Sequence, residues 1–161
     1  MASKLPAKLA TLVLAALAAP LHGAETAPSY GQQLAQVYGT YQSVVANTEA
    51  CSEAAPGMRG PIDKSLKAWH ARNDKTIAEL DERLTRMIRG ASKDDQEYAR
   101  NIGKYEGAML QQRNDARKAM LAQPRENLDA LCKSLPDLLS SKESDLETVY
   151  ADELKSIRSR R

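Results

Sequence analysis

The chain has no phenylalanine, one tryptophan, two histidines and two cysteines among 161 residues. Each scarcity removes a class of chemistry. His22 falls in an amino-terminal apolar stretch, so His70 stands alone in the rest of the chain and a multi-histidine metal centre is excluded within one copy. Cys51 and Cys132 are too far apart for a CxxC redox pair or a haem-attachment motif. No glycine-rich phosphate loop, dinucleotide fingerprint or nucleophile elbow is present. A haem held by His70 with Met58, Met87, Met109 or Met120 is the one axial pairing the composition allows. A lone histidine beside Trp69 and methionines at helical spacing read better as structural groups, so neither a cofactor nor a metal is expected.

Charge of one sign is also lacking, with 23 Lys and Arg against 21 Asp and Glu. The small positive excess belongs to the start of the chain, where Lys4 and Lys8 precede the apolar run from Leu9 to Leu21. A basic start, a short apolar core and small residues after it are the pattern of a removed secretion signal, predicted for residues 1–24. The run is too short to span a bilayer as a helix, which takes about 20 apolar residues. No second candidate span follows. Cleavage after Ala24 places His22 where a small residue is preferred, and cleavage after Ala18 fits that preference better. The mature chain is then neutral, which gives no long-range attraction to nucleic acid or an anionic membrane. Arg158, Arg160 and Arg161 make only its carboxyl end basic, as expected beside a helix terminus.

Export to the periplasm or the extracellular space turns Cys51 and Cys132 into a predicted disulfide, because such bonds persist in oxidising compartments. A cross-link closing so long a loop is worth about 4 kcal/mol by chain entropy.

The apolar residues of 25–161 recur at helical spacing and predict a single all-α domain, a four-element helical bundle with a disulfide-linked carboxyl-terminal region. The first helix is expected over Tyr30 to Cys51, with Leu34, Val37, Tyr38, Tyr41, Val44, Val45 and Thr48 on one face. A second stripe holds Ile62, Leu66, Trp69, Asn73, Ile77, Leu80, Leu84 and Met87 and ends near Gly90. Its polar side pairs Asp63 with Lys67, Glu79 with Arg83 and Glu82 with Arg86, each acid four residues before its base. Ser92 with Asp95 is expected to cap the third helix, whose buried side holds Tyr98, Ile102, Tyr105, Met109, Ala116 and Met120. Gly103 and Gly107 cost that helix backbone entropy and suggest a close crossing. Leu128, Leu131, Cys132 and Leu135 form a short face after Pro124. Pro136 predicts another break or a new first turn, with a last helix that begins between Pro136 and Ser144 and presents Leu146, Val149, Tyr150, Leu154 and Ile157.

These patterns supply a scaffold and no reaction centre, so the chain is expected not to be an enzyme. Glu79 and Glu82 share a helix side, but their arginines make them ordinary ion pairs in place of a catalytic acid and base. The leading expectation is a secreted or periplasmic protein-binding module, in the manner of an inhibitor, immunity factor, adaptor or assembly helper, whose partner is another secreted or envelope protein. Tyr30, Tyr38, Tyr41 and Trp69 are its candidate anchors, because aromatic rings bury large area at small entropic cost. Two alternatives are a small-ligand carrier or sensory bundle, and a self-assembling envelope component using the Ile62 to Leu84 seam with Asn73 setting register.

Overall fold

Ser29 starts the first helix with a reciprocal cap: its side chain accepts from the Gln32 amide, and the Gln32 side chain accepts from the Ser29 amide. The computed structural model describes residues 28–160, so the signal expected over 1–24 and the terminal Arg161 lie outside the described residues. Helix α1 runs Tyr30–Ala54, α2 Arg59–Gly90, α3 Asp95–Leu121, α4 Arg125–Ser140, α5 Leu146–Val149 and α6 Ala151–Ser159. Among the described residues there is no strand, and no helix is long and apolar enough to cross a membrane.

A 3₁₀ turn over Pro56–Met58 reverses the chain between α1 and α2. The two helices run antiparallel, as the proximity of Gly31 to Met87 at one end and the stacking of Tyr41 on Trp69 further along show. Helix α3 lies along α1 in the same direction, with Tyr38 beside Tyr105 and Glu53 paired to Arg117 at 2.7 Å. The broken column α4–α6 follows α2: Arg72 reaches the Leu139 carbonyl, Thr76 bonds Glu147, and Arg83 reaches the Ile157 carbonyl. Four columns result, as the apolar spacing predicts.

The core is built mainly by α1, α2 and the α4–α6 column, with Met120 as the buried contribution of α3. Leu34, Val37, Ile62, Trp69, Leu80, Leu139, Leu146, Leu154 and Ile157 are buried together with both cysteines. Cys51 and Cys132 form the expected disulfide, with a Cα separation of 5.2 Å and a sequence separation of 81. Trp69 is 0% exposed and its indole N–H donates to the Ser144 carbonyl at 2.9 Å. Asn73, also buried, donates to the Trp69 carbonyl and accepts from the Leu146 amide at 2.7 Å, so it fixes the α2 seam to α5 inside one chain. Arginines from neighbouring elements cap three helix ends by donating to their last carbonyls: Arg125 at α1, Arg72 at α4 and Arg83 at α6.

The structure corrects several local expectations. Pro136 lies inside α4 and does not break it. The lost backbone bond is tolerated because Leu135 and Leu139 on either side are buried in the core. The cap of α3 is Asp94, which accepts from the Glu97 amide at 2.7 Å, while Ser92 bonds back to the Ile88 carbonyl. Val149 is exposed because α5 ends there and Tyr150 bends the backbone before α6. Of the ion pairs expected along α2, Glu79 with Arg83 and Glu82 with Arg86 form, at 2.9 and 2.8 Å, and Asp63 with Lys67 does not. The first of them is a tertiary clamp: Arg158 of α6 also pairs with Glu79, at 2.8 Å, and with Glu147 of α5 at 2.6 Å.

Candidate functional site

Helix α3 departs most from its sequence pattern. Its apolar stripe predicts a buried face, yet Met120 is its one buried residue among those described. Tyr98, Ile102, Tyr105 and Met109 are half-buried, and Leu110 is 52% exposed. A Cβ on Gly103 or Gly107 meets nothing within 4 Å, so these glycines face open space and make no close crossing within the chain.

The stripe is half-buried because it borders a cleft of 380 Å³ between α2 and α3. Leu84, Thr85, Ile88 and Asp81 form the α2 wall, Tyr38 and Gln42 of α1 close a third side, and Tyr98 through Arg113 form the α3 wall. On α3 the lining positions 98, 102, 105, 109 and 113 recur every three or four residues, so they share one helix face over about 22 Å. The cleft is therefore elongated, lined by apolar and polar groups in nearly equal measure, and open at the exposed side of α3.

Its polar groups are unevenly satisfied. Asp81 sits between Glu79 and Glu82, which are answered by Arg83 and Arg86, but has no ion pair or side-chain hydrogen bond of its own among the described residues. Glu106 on the opposite wall is in the same state. Arg113 at the far end points a guanidinium nitrogen toward Glu49 at 3.7 Å, while its Nε is buried without a partner. Burial holds the Tyr105 phenol well above its ordinary range, and the neighbouring Tyr38 and the negative charge of Asp81 add to the shift. Tyr38 is raised for the same reasons, burial first and Asp81 next. The two rings lie 6.4 Å apart, and at the other end the Arg89 guanidinium sits 5.1 Å from the Tyr98 ring centre while pairing with Asp95.

The aromatic anchors expected from sequence are dispersed. Tyr38 lines the cleft. Tyr41 stacks on Trp69 at 6.4 Å and meets the edge of His70, and Trp69 is a core residue with no exposed surface. Tyr30 borders a different hollow with Arg83, Arg86, Met87, Arg158 and Arg160, in which Arg83, Arg86 and Arg158 are already paired to carboxylates. His70 lies with Asp63, Leu66, Lys67 and Asp74 on a shallow face of α2, its imidazole 4.0 Å from Asp74. No group of three or more metal-ligating side chains occurs among the described residues.

Asp81 and Glu106 also stand out in the sequence. Neither has a base three or four residues away on its own helix, unlike Glu79 and Glu82. The chain matches no protein-family model, no curated protein and no solved structure.

Proposed function

We propose that the protein is a secreted or periplasmic binding module, without enzymatic activity, that takes a segment of another exported protein into the α2–α3 cleft. The observation carrying this reading is the shape and chemistry of that cleft: an apolar stripe four turns long, left half-covered by its own chain, suits an amphipathic segment laid along it. The disulfide and the signal-like leader support an exported location. The self-assembly reading loses its motivating feature, since the Ile62 to Leu84 seam is engaged inside the chain. A carrier role remains the second reading, because 380 Å³ falls within the range of small-ligand pockets, roughly 300–1,000 Å³.

Photo-crosslinking in the native host tests the choice. A photoreactive side chain at Leu110 is expected to give one discrete protein adduct, whereas the same group at Leu138, an equally exposed leucine on α4, gives none. Equal labelling from both positions, or no adduct together with a metabolite that co-purifies between the helices, overturns the proposal.

A further inference from the structure

We infer that α3 carries a hinge at Gly103 and Gly107, and that bending there makes the middle of this helix a movable wall of the cleft. The inference concerns the free protein and stands whether the cleft takes a protein segment or a small ligand.

Glycine inside a helix weakens it, because the residue has the most backbone freedom to lose and no side chain to pack. A fold requires glycine where the backbone has positive φ or a neighbour needs the space. Neither applies here: no described glycine has positive φ, and a Cβ on Gly103 or Gly107 meets nothing within 4 Å. The glycines of α1 differ, since Gly31 lies against Met87 and Gly39 against Gln112. Gly60 and Gly90 fall at the two ends of α2. Among the described residues, α3 is thus the one helix with glycines in its interior and open space around them.

The helix is held on both sides of the pair. At the amino end Asp94 caps it, Asn101 donates to the Ser92 hydroxyl at 3.0 Å, and Arg89 pairs with Asp95 while lying over the Tyr98 ring. At the carboxyl end Met120 is buried and Arg117 pairs with Glu53 at 2.7 Å. The hydrogen-bonded side chains that bracket the middle are Asn101 and Gln111. Between them only the half-buried Ile102, Tyr105 and Met109 hold α3 to its neighbours. Those three also line the cleft. Bending at the glycines therefore changes the width of the cleft at its middle, while Tyr98 and Arg113 at its ends stay near Arg89 and Glu49. Relative to alanine, each glycine favours local opening about fivefold, and the pair roughly 25-fold.

Amide exchange of the free, disulfide-intact protein, read residue by residue by nuclear magnetic resonance, tests the hinge. Ordinary fraying makes the ends of a helix exchange fastest. The hinge reverses that order, so amides 104–111 are expected to be about tenfold less protected than amides 99–102 and 114–120. Carbon-13 relaxation dispersion of the methionine methyls is expected to show microsecond-to-millisecond exchange at Met109 and none at Met120. Gly103→Ala/Gly107→Ala adds only methyl groups in open space, and an unchanged circular dichroism spectrum checks its fold. This variant is expected to protect amides 104–111 about 25-fold better and to remove the exchange at Met109. Fastest exchange at the helix ends, equal dispersion at Met109 and Met120, or unchanged protection in the variant overturns the hinge. A variant with unchanged exchange that loses the Leu110 adduct also overturns it, assigns the glycines to close contact with the partner, and leaves the protein-binding reading standing. The expected exchange pattern with no Leu110 adduct supports the hinge and removes the protein partner.

Discussion

Asn73 shows how one side chain decides what a pattern means. In the sequence it interrupts an apolar seam, which is compatible with a register device between copies or with an edge position. In the structure it bridges two backbone groups, the Trp69 carbonyl and the Leu146 amide, and so joins the middle of α2 to the carboxyl-terminal column. Asn73→Leu leaves the buried Leu146 amide without its acceptor, and urea unfolding is expected to show a loss of about 1–3 kcal/mol. Trp69 similarly exchanges a surface role for a core one, because its ring is buried and its indole is satisfied by Ser144. The phenols of the cleft give a pH-dependent signature. A group whose proton is held more tightly in the native than in the unfolded state contributes stability below its unfolded value and loses it as pH rises. Stability is therefore expected to fall as pH climbs past the ordinary tyrosine value of 10.0, and to fall less steeply in Tyr105→Phe. Melting temperatures across the alkaline range measure this.

Among the helices, α1, α2 and α3 were legible from apolar period and from the breaks between them to within a few residues, and the broken end was not. Pro136 reads as a stop in sequence because local rules count the missing amide, whereas Leu135, Cys132 and Leu139 hold the helix through it by burial and cross-linking. The stripe of α3 was legible as apolar, but periodicity alone does not tell a face packed in a core from one bordering a cleft. That distinction depends on how many neighbours the fold supplies, and α3 packs along α1 but meets α2 only across the cleft. With one buried residue, α3 is expected to exchange its amide hydrogens faster than the buried stretches of α1 and α2, as hydrogen-exchange mass spectrometry measures directly. The α5–α6 end depends on charge. Hydrogen bonds from Arg158 and Thr76 hold the Glu147 carboxyl below its usual value of 4.5, so its contribution is present above that value and is lost as pH falls further through the native one. Amides of α6 are expected to lose protection on acidification before those of α1, and Arg158→Met is expected to remove most of that difference.

For the whole molecule, the disulfide and the core tie α1, α2 and the α4–α6 column together, and α3, anchored in that core by Met120, forms one wall of the cleft. The bond joins the end of α1 to α4 and closes a loop that contains all of α2 and α3, so reduction frees the unfolded chain of a long constraint. Reduction is expected to lower stability by about 4 kcal/mol in urea unfolding, with an unchanged midpoint contradicting a structural role for the bond. Helical spacing and the two cysteines were enough to read the all-α class and the cross-link from sequence. The site was partly hidden, since the cleft arises where three helices meet and its lining residues come from distant parts of the chain. Differential hydrogen exchange on the disulfide-intact protein, with and without the partner captured through Leu110, tests the central claim most directly. New protection is expected, confined to residues 81–88 and 98–113. Protection centred instead on the His70 face of α2 or on the arginine-rich end near Tyr30, with the α2–α3 cleft unchanged, would contradict it.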